Sequence, residues 1–289
     1  MVTRIALGLV WLLRFLPLPV LALVGQGLGV LAYGLVRERR HVALTNLRLC
    51  FPAMTDGERA RIARRHFGAF ARALVEHGII WWSSRRRIHR LVRLEGLQHV
   101  EAVRGRPVIW LAPHFVGLDM GGVRLTSDYP LVSMYSRQKN PQVDALLLHG
   151  RTRFGNATLF SRQDGLRPVI KALRRGLPFY YLPDMDFGPR DSIFVPFFGV
   201  PAATITGVSR LARATGAVIV PCVTRQLPGG GGYVTRFYPP WEDFPGPDVE
   251  ADTRRVNAFI EERVREMPEQ YFWLHKRFKT RPPGEARIY

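Results

Sequence analysis

The sequence predicts an α/β fold, a largely parallel or mixed sheet flanked by helices, preceded by an N-terminal membrane helix. Three observations carry this expectation. Beyond Arg93, short apolar runs alternate with stretches of helical periodicity, as in strand–helix units that cover both faces of a sheet. Upstream, residues 15–36 contain no charged side chain. Across 289 residues, 47% are hydrophobic and 22% charged, which is enough apolar material to bury a core through most of the chain.

The uncharged stretch FLPLPVLALVGQGLGVLAYGLV (residues 15–36) is long enough, as a helix, to cross a hydrocarbon core of about 30 Å. Pro17 and Pro19 fall where a first turn tolerates them. No small-residue cleavage pattern follows, so the segment is expected to be retained as a spanning anchor, with a monotopic or buried hairpin as the alternative. Arg37, Arg39 and Arg40 after it outweigh Arg4 and Arg14 before it, which places the following domain on the cytoplasmic side. The expected division is an anchor and basic flank at residues 1–40 and one α/β domain at 41–289.

Residues 55–82 have apolar positions at helical spacing, with Asp56 as the expected N-cap and a basic polar face. The strands follow as PVIWLA (107–112), LVSMYS (131–136), ATLF (157–160), PFYYLP (178–183) and AVIVPCV (217–223). Helices are expected near 118–127, 141–151, 165–175, 204–215 and 250–266. YVTRFY (233–238), after the glycines at 229–232, reads as an antiparallel addition. The uncharged stretch 194–207, FVPFFGVPAATITG, reads as a core loop or as the wall of a groove.

Forty-two Lys and Arg against 23 Asp and Glu give a net charge of +19, so an acidic partner is expected. Charge alone does not choose among nucleic acid, anionic lipid and an acidic carrier protein. No recognition helix or aromatic RNA-binding motif occurs, and nucleic acid is not expected. Cys50 and Cys222 are the only cysteines and belong to no Cys/His cluster, which predicts a reducing compartment and neither disulfide nor structural zinc. The absence of G-x-S-x-G and of a Walker-type loop argues against hydrolase and kinase chemistry.

The chemistry concentrates in PVIWLAPHFVGLDMGG, where an apolar strand ends at Pro113 and His114 follows at once. A strand end is where α/β sheets bind ligands. Asp119 is five residues further on, about 140° away around a continuous helix, so the two side chains meet only if the chain turns first. Gly117 permits that turn, and Asp119 is expected to orient His114 as a general base. Asp184 and Asp186 leave the strand PFYYL and are expected to shape an acceptor site or to pair with arginine; no neighbouring ligand set completes a metal site around them.

H-x-x-x-x-D at a strand end resembles the signature of the glycerolipid acyltransferase superfamily. The blocks YSRQKNPQVDALLLHGRTRFG (135–155), YYLPDMDFGPRDSIFVPFFGVPAATITG (180–207) and WLHKRFKTRPPG (273–284) resemble, in order and over nearly the whole chain, the late acyltransferases of lipid A biosynthesis. That resemblance implies a glycerolipid acyltransferase-like fold at an inner membrane. It implies transfer of a fatty acyl group from acyl carrier protein to a hydroxyacyl chain of a Kdo-bearing lipid A precursor, with no cofactor. It further implies that Arg151 and Arg162 hold acidic parts of the acceptor, a task suited to the guanidinium fork. Two positions depart from the pattern: many members carry Glu where Asp119 stands, and Gln or His often stands in place of Met185. The rival readings are an acyltransferase for a lysophospholipid or amino-acid-derived lipid, and a non-catalytic membrane-tethered binding protein.

Overall fold

A computed structural model describes residues 2–289. Six helices come first: α1 (Val2–Leu13), α2 (Leu18–Leu35), α3 (Arg37–Cys50), α4 (Asp56–Val75), α5 (His77–Trp82) and α6 (Arg85–Leu91). The domain continues through β1 (Val92–Glu95), α7 (Leu97–Glu101), β2 (Val108–Leu111), α8 (Leu118–Asp128), β3 (Leu131–Tyr135), α9 (Pro141–Thr152) and β4 (Ala157–Ser161). It closes with α10 (Arg167–Arg174), β5 (Phe179–Tyr181), β6 (Ser192–Phe197), β7 (Val200–Ile205), α11 (Gly207–Thr215), β8 (Val218–Gln226), β9 (Tyr233–Phe237) and α12 (Val249–Glu266).

Seven strands form one sheet in the order β1-β9-β8-β2-β5-β3-β4. From β8 to β4 every neighbouring pair is parallel, while β9 and its parallel neighbour β1 run against them, so the sheet is mixed as expected. β2 is buried along its whole length, which explains why VIWL reads as a continuous apolar run rather than an alternating one. The stretch at 194–207 is not a loop. It forms an antiparallel hairpin, β6–β7, turned at Phe198 and Gly199, both at positive φ.

α2 is long and apolar enough to cross a membrane, but it lies along α4. Gly25 and Gly29, one turn apart, leave no room for a Cβ against Arg72 and Gly68, so the two backbones touch. The opposite side of α2 presents Leu23, Val30, Leu31 and Leu35 exposed. The division expected at residue 40 falls inside α3. The expected helix over 55–82 is two helices, and its cap is Thr55 rather than Asp56. Thr55 accepts from the Glu58 N–H at 3.3 Å while its own N–H donates to Glu58 Oε2 at 2.7 Å, a reciprocal capping box.

Candidate active site

β2 and β5 are adjacent, parallel and in register, Leu111 opposite Tyr181. Both then leave the sheet by the same route: one residue, a proline, and an ionisable side chain. Ala112-Pro113-His114 therefore runs beside Leu182-Pro183-Asp184, and equal offsets bring His114 to Asp184. The Ala112 N–H still donates to the Tyr181 carbonyl at 2.8 Å, so the pairing extends one step past the strands.

The carboxylate that holds His114 is thus Asp184, 70 positions away, and not Asp119. His114 Nδ1 lies 2.6 Å from Asp184 Oδ1, and the His114 backbone N–H donates to Oδ2 at 2.9 Å. Asp184 is buried at 1% side-chain exposure while His114 is 23% exposed, so the acid is sealed behind an imidazole that reaches solvent. Burial alone would raise the Asp184 carboxyl, but the facing imidazole and its two hydrogen bonds outweigh it and hold the acid below its ordinary value. An ionised Asp184 takes the Nδ1–H, and the Nε2 lone pair then points outward, a tautomer assigned from its partner.

The C-terminal segment backs this pair. Phe272 N–H donates to the His114 carbonyl at 3.0 Å, and Phe115 bridges Tyr271. Burial first, and then the nearby Asp184 charge, push the Tyr271 phenol well above its ordinary value. Asp186 is a latch on the same segment. Its carboxylate accepts from Thr280 N–H (2.7 Å), Thr280 Oγ1 (2.8 Å) and Gly188 N–H (2.9 Å), and its own N–H donates to His275 Nε2 at 2.8 Å.

Asp119 faces elsewhere because α8 is pressed against β8. Gly117 and Gly121 leave no room for a Cβ against Thr224, which fixes one face of the helix on the sheet. Asp119, two residues from each, lies about 160° round the helix, toward α5 and α9. There Arg151 at the end of α9 donates to its Oδ1 through Nη2 (2.8 Å) and Nε (3.2 Å), and His77 Nε2 stands 3.5 Å from Oδ2. Burial would raise the Asp119 carboxyl; Arg151 and His77 outweigh it and hold it well below the ordinary carboxylate range. Arg151 is therefore committed to Asp119. His77 is a member that sequence reasoning missed, since a lone histidine inside a helical stretch carries no local signal.

Asp119 and Arg151 of this cluster also line a slot between α8 and the β3–β4–β5 face, whose apolar wall is Leu118, Val123, Leu131, Leu159 and Leu182. Leu182 belongs to the connection that carries Asp184, and Leu118 opens α8 directly after the connection that carries His114. Arg162 is exposed and lies flat on Phe187, its guanidinium carbon 3.8 Å from the ring centre. Among the described residues, no group of three His, Cys, Asp or Glu side chains converges as a ligand set for a metal.

Residues 1–280 match the model of a family described as bacterial lipid A biosynthesis acyltransferase. The lipid A biosynthesis lauroyltransferase of Escherichia coli (strain K12) is 39% identical, with 99% of this chain and 94% of that protein covered. The palmitoleoyltransferase of the same strain is 32% identical at the same coverage. The myristoyltransferase of that strain is 34% identical, over 94% of this chain and 83% of that one. The crystal structure of a 1-acyl-sn-glycerophosphate acyltransferase from Thermotoga maritima has a TM-score of 0.40 at 15% identity, covering 82% of this chain and 98% of that one, a likeness too distant to add to the fold. The chain belongs to the bacterial lipid A biosynthesis acyltransferase family, and it is an acyltransferase.

Proposed function

We propose that the enzyme moves a fatty acyl chain from acyl carrier protein to a hydroxyacyl chain of a Kdo-bearing lipid A precursor, with His114 as general base and Asp184 as its orienting partner. The observation that carries this is the His114–Asp184 pair at two adjoining strand ends, with Nε2 left open. In the reaction the acceptor hydroxyl gives its proton to Nε2 as its oxygen attacks the thioester carbonyl. The ionised Asp184 stabilises the imidazolium that forms. Collapse of the tetrahedral intermediate breaks the carbon–sulfur bond, and the proton held on Nε2 passes to the departing thiolate of the carrier. No covalent enzyme intermediate and no cofactor enter the balance.

The apolar slot accommodates acyl carbons in this reading, and Asp119, clamped by Arg151 and His77, sets the position of the α8 N-terminus that walls it. Arg162, spread on Phe187 with its donor edge exposed, holds an acidic group of the acceptor. The exposed apolar sides of α1 and α2 seat the enzyme at the inner membrane, with the domain on the cytoplasmic side where the carrier protein is found.

The test is mass spectrometry of products after incubation with acyl carrier protein charged with several chain lengths and a tetraacyl Kdo-bearing precursor. The expected result is a gain of one acyl chain that His114→Ala abolishes. A gain only with a lysophospholipid acceptor would keep the chemistry and replace the substrate; no gain with any acceptor would leave a binding protein.

A further inference from the structure

We propose that the cavity where α1 meets α5 and α6 binds a phosphate group, supplied by the headgroup of an anionic membrane lipid. The site is separate from the reaction. It lies at the Trp82 end of α5, about 8 Å along that helix from His77. Six residues line it: Arg14, Phe15, Trp82, Ser83, Ser84 and Arg87. Its volume is about 200 Å³, several times a liquid water's share of roughly 30 Å³.

Two guanidinium groups are built into its wall and no carboxylate lines it. Arg14 Nη1 donates to the Trp82 carbonyl at 2.9 Å, and its guanidinium lies over the rings of Trp11 (4.8 Å) and Phe15 (4.5 Å). Arg87 donates to the carbonyls of Arg14 and of Leu16, the latter at 3.1 Å. Backbone carbonyls thus hold two like charges together without neutralising them, and Arg14 Nε has no hydrogen-bond partner among the described residues. Partial burial first, and then the charges of Arg90 and Arg14, pull the Arg87 guanidinium below its ordinary value. An anion in the cavity would reverse that shift by compensating both charges.

The surroundings favour a lipid as the source. Leu9, Trp11, Leu12 and Phe15 of α1 and the turn after it are all exposed beside the cavity. An apolar helix side flanked by arginines at its end is the arrangement that lies at the boundary between headgroups and acyl chains. The Ser83 and Ser84 hydroxyls add donors at the cavity wall, suited to phosphate oxygens.

The test titrates the full chain, held in neutral detergent micelles, with phosphatidylglycerol, with phosphatidylcholine and with inorganic phosphate, reading tryptophan fluorescence. Its readout is binding, so it is decided independently of the acyl-transfer assignment. Ser84 caps α6 by accepting from the Arg87 N–H at 3.3 Å, and Asp is at least as good a cap. Ser84→Asp therefore keeps the helix start while placing a carboxylate beside the arginines. Phosphatidylglycerol is expected to bind saturably and at least roughly tenfold more weakly to Ser84→Asp and Arg87→Gln, with Arg175→Gln, an exposed basic position at the end of α10, unchanged. Inorganic phosphate binding that Ser84→Asp also abolishes would support the phosphate site and show that the lipid is not required. Equal phosphatidylglycerol binding by wild type, Ser84→Asp and Arg175→Gln would overturn the proposal.

Discussion

The His114–Asp184 pair and the Asp119–Arg151–His77 cluster use the same side-chain chemistry, but the first stands on two adjoining strand ends and the second on three helices. At the strand ends, register fixes the contact and leaves one working atom, Nε2, without a partner among the described residues. Between the helices both Asp119 oxygens already face a basic side chain, Arg151 on Oδ1 and His77 on Oδ2. A base needs an open lone pair, whereas a clamp needs closed ones. On the proposed reading, the first moves the proton and the second holds a position.

The largest expected effect is at the open atom. His114→Ala should lower kcat by about a thousandfold with little change in thermal stability, since general-base catalysis contributes roughly 10²–10⁴. Next, Asp184→Asn keeps the shape but removes the charge that fixes the tautomer, and a kcat loss of about a hundredfold or more is expected with KM nearly constant. Steady-state kinetics on both variants checks the assignment. If Asp119→Asn lowers kcat more than Asp184→Asn does, the roles of the two carboxylates are reversed.

The helical cluster should answer first in stability. Asp119→Asn strands the Arg151 guanidinium, but with side chains 31% and 35% exposed the cost is discounted for solvent to about 1–2 kcal/mol. Activity should fall about tenfold through the shifted wall of the slot, an effect smaller than either loss at the strand ends. Combining Asp119→Asn with Arg151→Gln should cost less than the sum of the two, with a coupling on the order of 1 kcal/mol by denaturant titration. Strict additivity would mean that the two side chains do not depend on each other.

The same contrast explains what the sequence discloses. Strands β2 to β5 and β8, and helices α8 to α12, follow from apolar runs and helical periodicity, which are local. His114 is legible because a strand end beside a proline is a local feature. Its partner is not, because only the sheet order places β5 next to β2, and no window of sequence contains that order. The clue was the matched spelling of the two exits, LAPH and YLPD, once the strands are paired. The β6–β7 hairpin escaped for another reason: Phe198 occupies a positive-φ turn position where Asn or Asp would have marked the turn, and Pro196 and Pro201 interrupt the strands. The α2 helix keeps the hydropathy of a membrane span because Gly25 and Gly29 weaken it only slightly, while the same glycines create the face that docks on α4, which hydropathy does not disclose.

The smallest expected effect on catalysis, and the one that separates holding from reacting, concerns the support behind His114. His66 on α4 is fully buried and its Nδ1 meets the Glu269 carbonyl at 3.0 Å, just ahead of Gln270 and Tyr271. Gln270 in turn accepts the Val116 N–H on its carbonyl at 2.8 Å, so α4 is tied to the loop that carries His114. Burial pulls the His66 imidazole down to about 4 against the opposing pull of that carbonyl. The folded value lies below the unfolded one near 6.5, so the fold prefers the neutral ring; its contribution is complete above pH 6.5 and is lost as pH falls toward 4. The shift corresponds to roughly 3 kcal/mol at most. Melting temperature measured across that window should drop in the wild type and drop less in His66→Gln, while kcat at neutral pH changes less than threefold or so. If the variant melts with the same pH dependence as the wild type, the acid sensitivity lies with another group, and the next to test is His275, which burial and Arg277 also draw down to about 4.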